Sequence, residues 1–444
     1  MAAKVTPWHA VPVEVQLAYG TTGLTVSLPD ERTTVITPVP QEAPADQGAT
    51  LRDALRNPVA GPRLRELVHD GDSIAVSVCD FTRPQPREAM IRALVEELDG
   101  IAAPDAFTLL IATGTHRGNT DDELRQMLGE FAGSMRVINH DARDADSLRW
   151  CGTIGDGVPV WLNRHWLDAD VKLTTGFVEP HFFAGFSGGP KLVAPGLAGL
   201  DTTLTLHDAR RIGSPHATWG VCEGNPVHDD VRAIAAEIGV DFAFDVILNM
   251  DKQIIEAFAG EMFAMHLAAR DAVRRTSMRE VPHLFDVVVT TNSGFPLDQN
   301  LYQAVKGMSA AASIVRPGGL IVSAAECRDG FPDHGDFREP LTSSPDIATL
   351  LATIEARPAS ATVPDQWELQ VLGRVLSRAR VALYSDYLSD EDTRAAHLLP
   401  VHDISALVDD ECARLGDGAQ VCVLPDGPQT IAYVADRASQ EILA

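Results

Sequence analysis

Short apolar runs rich in valine and isoleucine alternate with amphipathic helical patterns over most of this chain. In the first half, residues 73–78, 107–112 and 171–174 are typical of buried strands, and residues 87–98 and 122–131 have the apolar spacing of helices. Continuous apolar strands separated by helices indicate a parallel sheet that is covered on both faces. The first half of the chain is therefore predicted to be an α/β domain.

A second series of the same kind begins near residue 286 and continues toward the end of the chain. Its predicted elements are strands at 286–291, 319–324, 381–385 and 421–424, and helices at 302–315 and 404–415. The repeated alternation predicts the α/β fold class, with two domains and largely parallel sheets in both.

The length of 444 residues also favours two domains, because a single hydrophobic core rarely extends over so long a chain. A helical segment at 261–276 is followed by the stretch 277–282, which we interpret as a hinge. We expect an N-terminal domain over residues 1–282 and a C-terminal domain over residues 283–415, with residues 416–444 returning to complete the first. The cleft between two such domains is the expected place for an active site.

The chain is strongly acidic, with 36 basic and 62 acidic residues and a formal net charge of −26. Nucleic acids and anionic lipids bind through lysine and arginine, so this balance argues against either as a partner. An anionic small molecule would need a local group of cationic side chains.

No apolar run is long enough to span a membrane, and the N-terminus lacks the continuous apolar core of a signal peptide. We therefore expect a cytoplasmic location. The six cysteines are scattered and form no CxxC pair, so neither a disulfide framework nor a cysteine zinc site is expected.

The segment between Thr175 and His207 carries the densest candidate chemistry. It combines His181, Lys191 and His207 with the glycine-rich loop Gly185–Lys191. Glycine lets a backbone approach an anion, lysine supplies a positive charge or a nucleophile, and histidine supplies a base or a metal ligand. The loop lacks the GxxxxGK[ST] spacing of nucleoside triphosphatases, and no GxGxxG follows a strand. A site for a phosphorylated, metal-bearing cofactor fits the combination.

Polar residues also follow two other predicted strands. Asp80 and Arg83 lie after the first, in CDFTRP, and His116 lies after the second, in TGTHR. Open α/β sheets bind ligands at the carboxyl ends of their strands. Arg83 suits a carboxylate and Asp80 a cofactor hydroxyl, whereas an aspartate–arginine pair that merely caps the next helix explains both residues equally well. His116 suits general acid–base catalysis, since the ordinary pKa of histidine lies near neutrality.

In the second half, Tyr302, Gln303 and Lys306 begin a predicted helix, and Tyr302 shares one helix face with Lys306. Taken alone, this is the pattern of an ordinary polar helix start. Trp367 is, by the same reasoning, more often a core residue than a substrate contact. His140, in the sequence NHD, is interpreted as a structural histidine.

Taken together, these segments resemble the lactate racemase family, whose members use a nickel-pincer nucleotide to racemise or epimerise 2-hydroxy acids. The order and spacing of several motifs is a far more specific signal than one short motif. The resemblance is carried by DFTRP at Asp80–Pro84, GTHR at Gly114–Arg117, NHD at Asn139–Asp141, PHFFAGFSGGPKLVAPG at Pro180–Gly196, His207, and YQAVKG at Tyr302–Gly307.

The resemblance implies a covalently bound cofactor, a pyridinium-3-thioamide-5-thiocarboxylic acid mononucleotide with nickel, linked through a thioamide to Lys191. Nickel would be held by one carbon and two sulfurs of the cofactor and by His207, an imidazole being a suitable ligand for nickel. The N-terminal domain would bind the cofactor, and cofactor-synthesis enzymes would be partners of the chain. The other implied cofactor-binding residues are Asp80, Phe183 near the pyridinium ring, and Ser187, Gly188 and Gly189 facing the phosphate.

The implied reaction is proton-coupled hydride transfer through a planar 2-keto acid. His116 and His181 would stand on opposite faces of the substrate, one removing the hydroxyl proton and the other donating a proton on the opposite face. The C-terminal domain would cover the substrate. The implied substrate-binding residues are Arg83, Gln303 and Lys306 as donors to the carboxylate or the developing carbonyl, with Tyr302 and Trp367 lining the pocket.

Two other classes of function stay open from the residues alone. A non-catalytic nucleotide- or phosphate-binding protein would use the glycine loop and leave His116 and His181 dispensable. An oxidoreductase using the same cofactor would pass the hydride to a second reactant and would not scramble a stereocentre. The sequence does not distinguish lactate from malate, phenyllactate or sugar acids as the substrate.

Overall fold

The computed structural model describes residues 12–332 and 335–434. The predicted N-terminal domain and the segment 416–444 each extend past these limits, into residues 1–11 and 435–444, which lie outside the described residues. The described strands are β1 Pro12–Leu17, β2 Leu24–Pro29, β3 Thr33–Val35, β4 Ile74–Cys79, β5 Phe107–Ala112, β6 Arg136–Asn139, β7 Leu148–Ile154, β8 Val158–Asn163, β9 Val171–Phe177, β10 Pro180–His181, β11 Gly185–Phe186, β12 Phe242–Leu248, β13 Ile254–Gly260, β14 Met278–Val281, β15 Phe285–Thr291, β16 Val315–Ala324, β17 Arg380–Tyr384, β18 Leu399–Pro400, β19 Val421–Leu424 and β20 Ile431–Val434.

The α-helices connect and cover these strands. They are α1 Gln47–Arg56, α2 Leu64–Leu67, α3 Arg87–Glu97, α4 Asp121–Leu128, α5 Phe131–Ser134, α6 Arg164–Leu167, α7 Leu200–Leu206, α8 Ala209–Gly213, α9 Pro226–Ile238, α10 Met262–Ser277, α11 Leu301–Ala312, α12 Arg338–Ser343, α13 Ile347–Glu355, α14 Gln366–Arg378, α15 Asp390–Ala395 and α16 Ile404–Leu415. No helix in this part of the chain combines the length and the apolar character needed to cross a membrane.

The chain folds into two compact units. Among the described residues, unit I consists of Val39–Thr276 and Pro358–Thr362, and unit II of residues 12–38, 277–332, 335–357 and 363–434. Each unit contains one six-stranded sheet with its own helices. The predicted α/β class, with two domains and largely parallel sheets, is confirmed.

In unit I, the sheet has the strand order β13-β12-β9-β4-β5-β6. Neighbouring strands are parallel except β12 and β13. From β4 the chain builds outward through β5 to β6, and it then returns to the other side of β4 to add β9 and β12. The strand order therefore reverses between β4 and β9, which is where open α/β sheets place their ligands.

The strands of unit I are apolar at successive positions because both faces of the sheet are covered. In β5, Leu109 and Ile111 pack into one hydrophobic core, and Leu110 packs into the other. Such a strand gains burial at every position, which explains why the apolar run at 107–112 predicts the observed strand so well.

In unit II, the sheet has the order β18-β17-β16-β15-β19-β3 and is parallel throughout. The hairpin of β1 and β2 contributes Leu17 and Leu28 to the same hydrophobic core as Val287 and Val289 of β15. The order reverses between β15 and β19. The loop that follows β15 leads directly into α11, so the first turns of α11 lie close to this second reversal.

The units divide the chain differently from the predicted domains at both ends. β19 pairs with β15 and β3 pairs with β19, so residues 421–424 and residues 33–35 both belong to the sheet of unit II. The expectation that residues 416–444 complete the first domain is therefore wrong for β19. Apolar patterning locates a strand, but the neighbour of that strand depends on contacts between distant segments.

Two smaller differences concern single elements. The predicted helix at 122–131 is two helices, because Gly129 adopts a positive φ of 55° and ends α4. The predicted hinge at 277–282 lies at the observed boundary between the units, but most of it forms β14, which pairs with β20.

Candidate active site

The candidate residues of unit I follow the strands on either side of the reversal in strand order. Asp80 and Arg83 come after β4, His116 comes after the neighbouring β5, and the segment with His181 and Lys191 comes after β9. Parallel strands end at the same edge of a sheet, so their following loops all begin at that edge.

Asp80 forms a direct pair with His116. Its Oδ2 lies 2.6 Å from Nδ1 of His116, and its Oδ1 accepts a hydrogen bond of 2.7 Å from the hydroxyl of Thr82. Burial alone would raise the pKa of Asp80, but His116, Arg83 and Thr82 together lower it below its ordinary value. An ionised carboxylate only accepts, so in the neutral ring of His116 the proton is on Nδ1 and the lone pair on Nε2.

The loop that holds Asp80 is fixed by a buried arginine. The guanidinium of Arg87 donates to the carbonyl oxygens of Cys79, Asp80, Gln85 and Arg83. These bonds fix the backbone of the DFTRP segment. Arg83 itself is exposed to solvent. The alternative in which an Asp80–Arg83 pair merely caps the next helix is not what the structure shows, since α3 has no side-chain N-cap.

His181 is held by its own loop. Its Nδ1 accepts long hydrogen bonds from the backbone N–H groups of Phe183 and Ala184, at 3.4 and 3.3 Å. A nitrogen that accepts from an N–H group carries a lone pair, so the proton of the neutral ring is on Nε2. The ring lies edge-on to Phe183, with centroids 4.5 Å apart, and stacks on Phe182 at 5.0 Å.

Phe183 brings three of the candidate residues together. Its ring centroid is 4.5 Å from that of His181 and 5.2 Å from that of His207, and Nζ of Lys191 lies 5.8 Å from it. Lys191 itself belongs to the short 3₁₀ turn Gly189–Leu192 that closes the glycine loop. The residues chosen from the sequence segment Thr175–His207 therefore surround one aromatic ring.

His207 is a buried, neutral imidazole. Burial lowers its pKa to about 4, and the positive charge of Lys191 acts in the same direction. Its Nδ1 lies 2.7 Å from the carbonyl oxygen of Thr203, which can only accept, so Nδ1 carries the proton and Nε2 the lone pair. A neutral imidazole whose other nitrogen is oriented by a carbonyl is the usual form of a histidine metal ligand.

The glycine loop packs against the protein interior more tightly than expected. Gly188 and Gly189 have φ values of 73° and 50°, and a Cβ would lie 2.6 Å from the Asp245 carboxylate at the first and 2.6 Å from the His266 ring at the second. The N–H of Gly189 donates to Asp245 at 2.6 Å. The hydroxyl of Ser187 is bonded to backbone groups within its own loop. These groups, which we expected to face a phosphate, are used inside the fold.

The candidate residues of unit II lie on two helices that pack together, α11 and α14. Nζ of Lys306 is 2.6 Å from Oε1 of Gln303, and the indole N–H of Trp367 donates to the hydroxyl of Tyr302 at 3.1 Å. Asn300 caps α11 by accepting from the backbone N–H of Gln303 at 3.1 Å. The four side chains chosen from the sequence thus form two hydrogen-bonded pairs.

Two further histidines of unit I are buried. His140 is buried, its Nε2 bonds to the carbonyl of Ala198 at 2.9 Å, and its Nδ1 bonds to Asn163 at 3.2 Å. His228 is buried and its ring lies 5.9 Å from that of His266. The structural interpretation of His140 fits these contacts.

The sequence reasoning missed two buried carboxylates. Asp245 lies inside β12 in the run FAFDVIL, and burial raises its pKa to about 7. Glu368 follows Trp367 in α14 and is fully buried. A charged residue inside an apolar strand is a detectable signal for Asp245. Among the described residues, no group of three or more histidine, cysteine, aspartate or glutamate side chains is arranged as a metal site.

The fold and these residues define a class of protein, an α/β protein whose candidate site combines several histidines with a lysine. Residues 19–220 match the lactate racemase N-terminal domain, and residues 282–432 match the lactate racemase C-terminal domain. The chain therefore belongs to the lactate racemase family, as the motifs indicate, and it is an enzyme of the isomerase class.

Individual relatives agree with this assignment. A lactate racemase from Thermoanaerobacterium thermosaccharolyticum is 32% identical over 421 residues, covering 94% of this chain and 98% of the relative, and one from Lactiplantibacillus plantarum is 35% identical over 380 residues, covering 85% and 89%. The lactate racemase apoprotein structure from T. thermosaccharolyticum superposes with a TM-score of 0.89, at 32% identity, covering 95% of this chain and all of that one. A Thermotoga maritima protein with 17% identity has a TM-score of 0.61, covers 89% of this chain and 100% of that one, and shares the fold.

Proposed function

We propose that this chain racemises or epimerises a small 2-hydroxy acid by means of a nickel-pincer nucleotide attached to Lys191. The observation that carries the proposal is the arrangement of Lys191, His181 and His207 around the ring of Phe183. An amine, an acid–base group and a neutral ligating imidazole meet at one aromatic side chain. The substrate class is proposed from the relatives, which are named lactate racemases.

The residues at Phe183 fit the proposed cofactor. The amine of Lys191 is the attachment point, and the aromatic ring beside it suits a flat pyridinium group. Nε2 of His207 supplies the lone pair that a nickel ion requires. When bound, the group would take a hydride from the substrate carbon and return it. The proposed phosphate contacts of Ser187, Gly188 and Gly189 have the weakest support, because part of their hydrogen-bonding capacity is used inside the fold.

The two proposed catalytic histidines hold their protons on different nitrogens. Nε2 of His116 has a lone pair that can accept the hydroxyl proton, and the Asp80 carboxylate stabilises the imidazolium that forms. His181 has its N–H on Nε2 in the neutral ring, and it can donate that proton once Nδ1 has also taken one and the ring is an imidazolium. The pair would then consist of one neutral base and one imidazolium acid, which suits removal of a proton on one face of the substrate and donation on the other.

We propose that Arg83, Lys306 and Gln303 bind the substrate carboxylate or the carbonyl that develops beside it. Arg83 is an exposed cation at the end of β4, and Lys306 is held in place by its bond to Gln303. Tyr302 and Trp367, which bond to each other, would line the pocket. In a chain with a net charge of −26, such cations are the groups that can attract an organic acid.

The proposal also concerns partners and location. Enzymes that build the cofactor would act on this chain, and the acidic surface argues against nucleic acid as a ligand. A cytoplasmic location is part of the same proposal.

The test compares two lysine variants after co-expression with cofactor-synthesis enzymes. Lys191→Arg keeps the positive charge but cannot form a thioamide, and Lys252→Arg makes the same change at an exposed lysine. We expect wild type and K252R to gain the cofactor mass and nickel, whereas K191R gains neither. Intact-mass spectrometry and metal analysis measure both. An adduct on K191R, or none on wild type under conditions that load a known lactate racemase, would contradict the cofactor proposal.

The reaction is tested separately with a panel of single enantiomers of lactate, malate and phenyllactate, followed by chiral chromatography. Appearance of the opposite enantiomer from any of these acids is the expected result. Accumulation of a 2-keto acid without the opposite enantiomer would instead identify an oxidoreductase. No turnover by loaded protein would favour the non-catalytic alternative.

A further inference from the structure

A buried carboxylate lies on α14, the helix that packs against α11, which carries the proposed carboxylate-binding residues of unit II. Glu368 stands in the first turn of α14, next to Trp367, with a side chain that is 0% exposed. Within the described part of the chain, neither of its carboxylate oxygens has a hydrogen-bond partner. A buried carboxylate without hydrogen bonds destabilises a fold, so a structural role does not account for it.

The charges around Glu368 connect it to the candidate residues on α11. Burial raises its pKa well above the usual range, Lys306 acts in the opposite direction, and Asp365 adds to the effect of burial. The pKa of Tyr302 is also raised well above its ordinary value, by burial first and then by the charges of Glu368 and Asp365. Glu368 therefore shares its surroundings with both Lys306 and Tyr302.

In the described part of the chain, α13, β16 and β17, which also pack on α14, add no buried charge near Glu368. α13 presents Leu350 and Ile354, and the buried positions of β16 and β17 are apolar apart from Ser323. Arg374 lies on α14 itself, nearly two turns further along. Among the described residues, Lys306 is the one cation whose charge acts on Glu368.

We propose that Glu368 is a positioning residue that competes with the substrate carboxylate for the positive charge of Lys306, so that binding of the acid to enzyme with an ionised Glu368 transfers one proton from solvent to Glu368. The inference rests on the proposed function, in which Lys306 binds the carboxylate. Beyond the role of Lys306, it names Glu368 as a further residue of the site and predicts that this residue takes up a proton when the acid binds.

The physical basis is that one ammonium group cannot neutralise two buried carboxylates. In the free enzyme above the pKa of Glu368, which is about 8, the ionised carboxylate is compensated by Lys306. When a second carboxylate approaches Lys306, the like charge raises the proton affinity of Glu368, which then takes up a proton and becomes neutral. Binding and protonation are therefore linked. Affinity for the acid is highest at low pH, where Glu368 is already neutral, and it falls as pH rises past the pKa of Glu368 in the free enzyme.

The test compares wild type with Glu368→Gln, an isosteric variant that cannot ionise. The substrate is the acid of the panel that racemises fastest. In wild type we expect its KM to rise with pH, by up to about tenfold per pH unit above the pKa of Glu368 in the free enzyme. In E368Q this rise should disappear while kcat keeps its own pH profile. Glu355→Gln, at an exposed position of α13, is the matched control and should behave as wild type.

A direct count of protons completes the test. Titration calorimetry with the same acid, in two buffers of different ionisation enthalpy and at a pH above the pKa of Glu368 of about 8, should show uptake of up to about one proton by wild type and by E355Q, and none by E368Q. If E368Q does not fold, Glu368→Asp takes its place, and a changed midpoint for proton uptake is then expected.

The results test the role of Glu368 and the proposed racemase function separately. Racemisation with the same proton uptake in wild type and E368Q, or an unchanged midpoint in E368D, would overturn the role of Glu368 and leave the proposed function intact. If loaded wild type racemises no acid of the panel, the proposed function fails and the inference fails with it.

Discussion

The carboxylate of Asp80 is engaged at both oxygens, by Nδ1 of His116 and by the hydroxyl of Thr82. The sequence context suggested a cofactor hydroxyl as its partner, because the side chain follows a strand at the expected ligand edge. The pair with His116 adds a second proposed task, which is to fix the tautomer of His116 and to stabilise the charge that His116 would gain as a base. The two tasks lead to different results in a single variant.

Asp80→Asn should lower kcat on the order of 100-fold while cofactor loading stays normal, because the amide cannot compensate an imidazolium. Chiral chromatography gives the rate, and intact mass gives the loading. Thr82→Val removes only the other hydrogen bond to Asp80 and should change kcat by less than about tenfold. If D80N instead loses the cofactor adduct, the result would support the interpretation of Asp80 as a cofactor-binding residue.

Among the elements, the apolar pattern predicts those that are buried continuously. β5, α16 and β19 have the predicted bounds, because each position in the strands gains burial and α16 has a regular apolar face. The glycine loop shows the limit of such reasoning. Its glycines suggested an approach to a ligand, whereas the structure explains them by the close packing of the loop on Asp245 and His266. Packing partners so distant in sequence leave no local signal.

Gly189→Ala tests this explanation. The new Cβ would contact the His266 ring at 2.6 Å, in a backbone conformation with φ of 50° that alanine rarely adopts. We expect a loss of about 1–3 kcal/mol in the free energy of unfolding, measured by urea titration. Gly133→Ala is the control, since its Cβ would meet nothing within 4 Å and Gly133 lies in α5. Equal stability of the two variants would show that the loop can move away from His266.

At the scale of the whole molecule, the sequence predicts two α/β domains that meet at residues 282 and 283, and the structure has two compact units, with Ser277 starting a segment of unit II. It does not predict that the first strands and β19 complete the sheet and core of unit II. That arrangement depends on pairing between residues 33–35 and 421–423, which are separated by almost the full chain. Local pattern contains no information about such a partner.

The assignment of the chain's beginning to unit II has an energetic consequence. Leu17 is fully buried in the core with Val287 and Val289, and Leu55 is fully buried in a core of unit I with Val76. Leu17→Ala and Leu55→Ala remove the same side chain from the two units. Each should destabilise its own unit by about 2–5 kcal/mol, because each leaves a cavity in a packed core.

Native-state hydrogen exchange, read by mass spectrometry, locates the effect of each variant. For Leu17→Ala, we expect faster exchange in β15, β16 and β19, although these strands lie more than two hundred residues away in sequence. For Leu55→Ala, the faster exchange should fall in β4, β5 and β9 instead. If Leu17→Ala accelerates exchange in β4 and β9, then the beginning of the chain is coupled to unit I, as the boundaries drawn from the sequence imply. Unchanged exchange in β15 and β19 would show that their core is stable without the N-terminal hairpin.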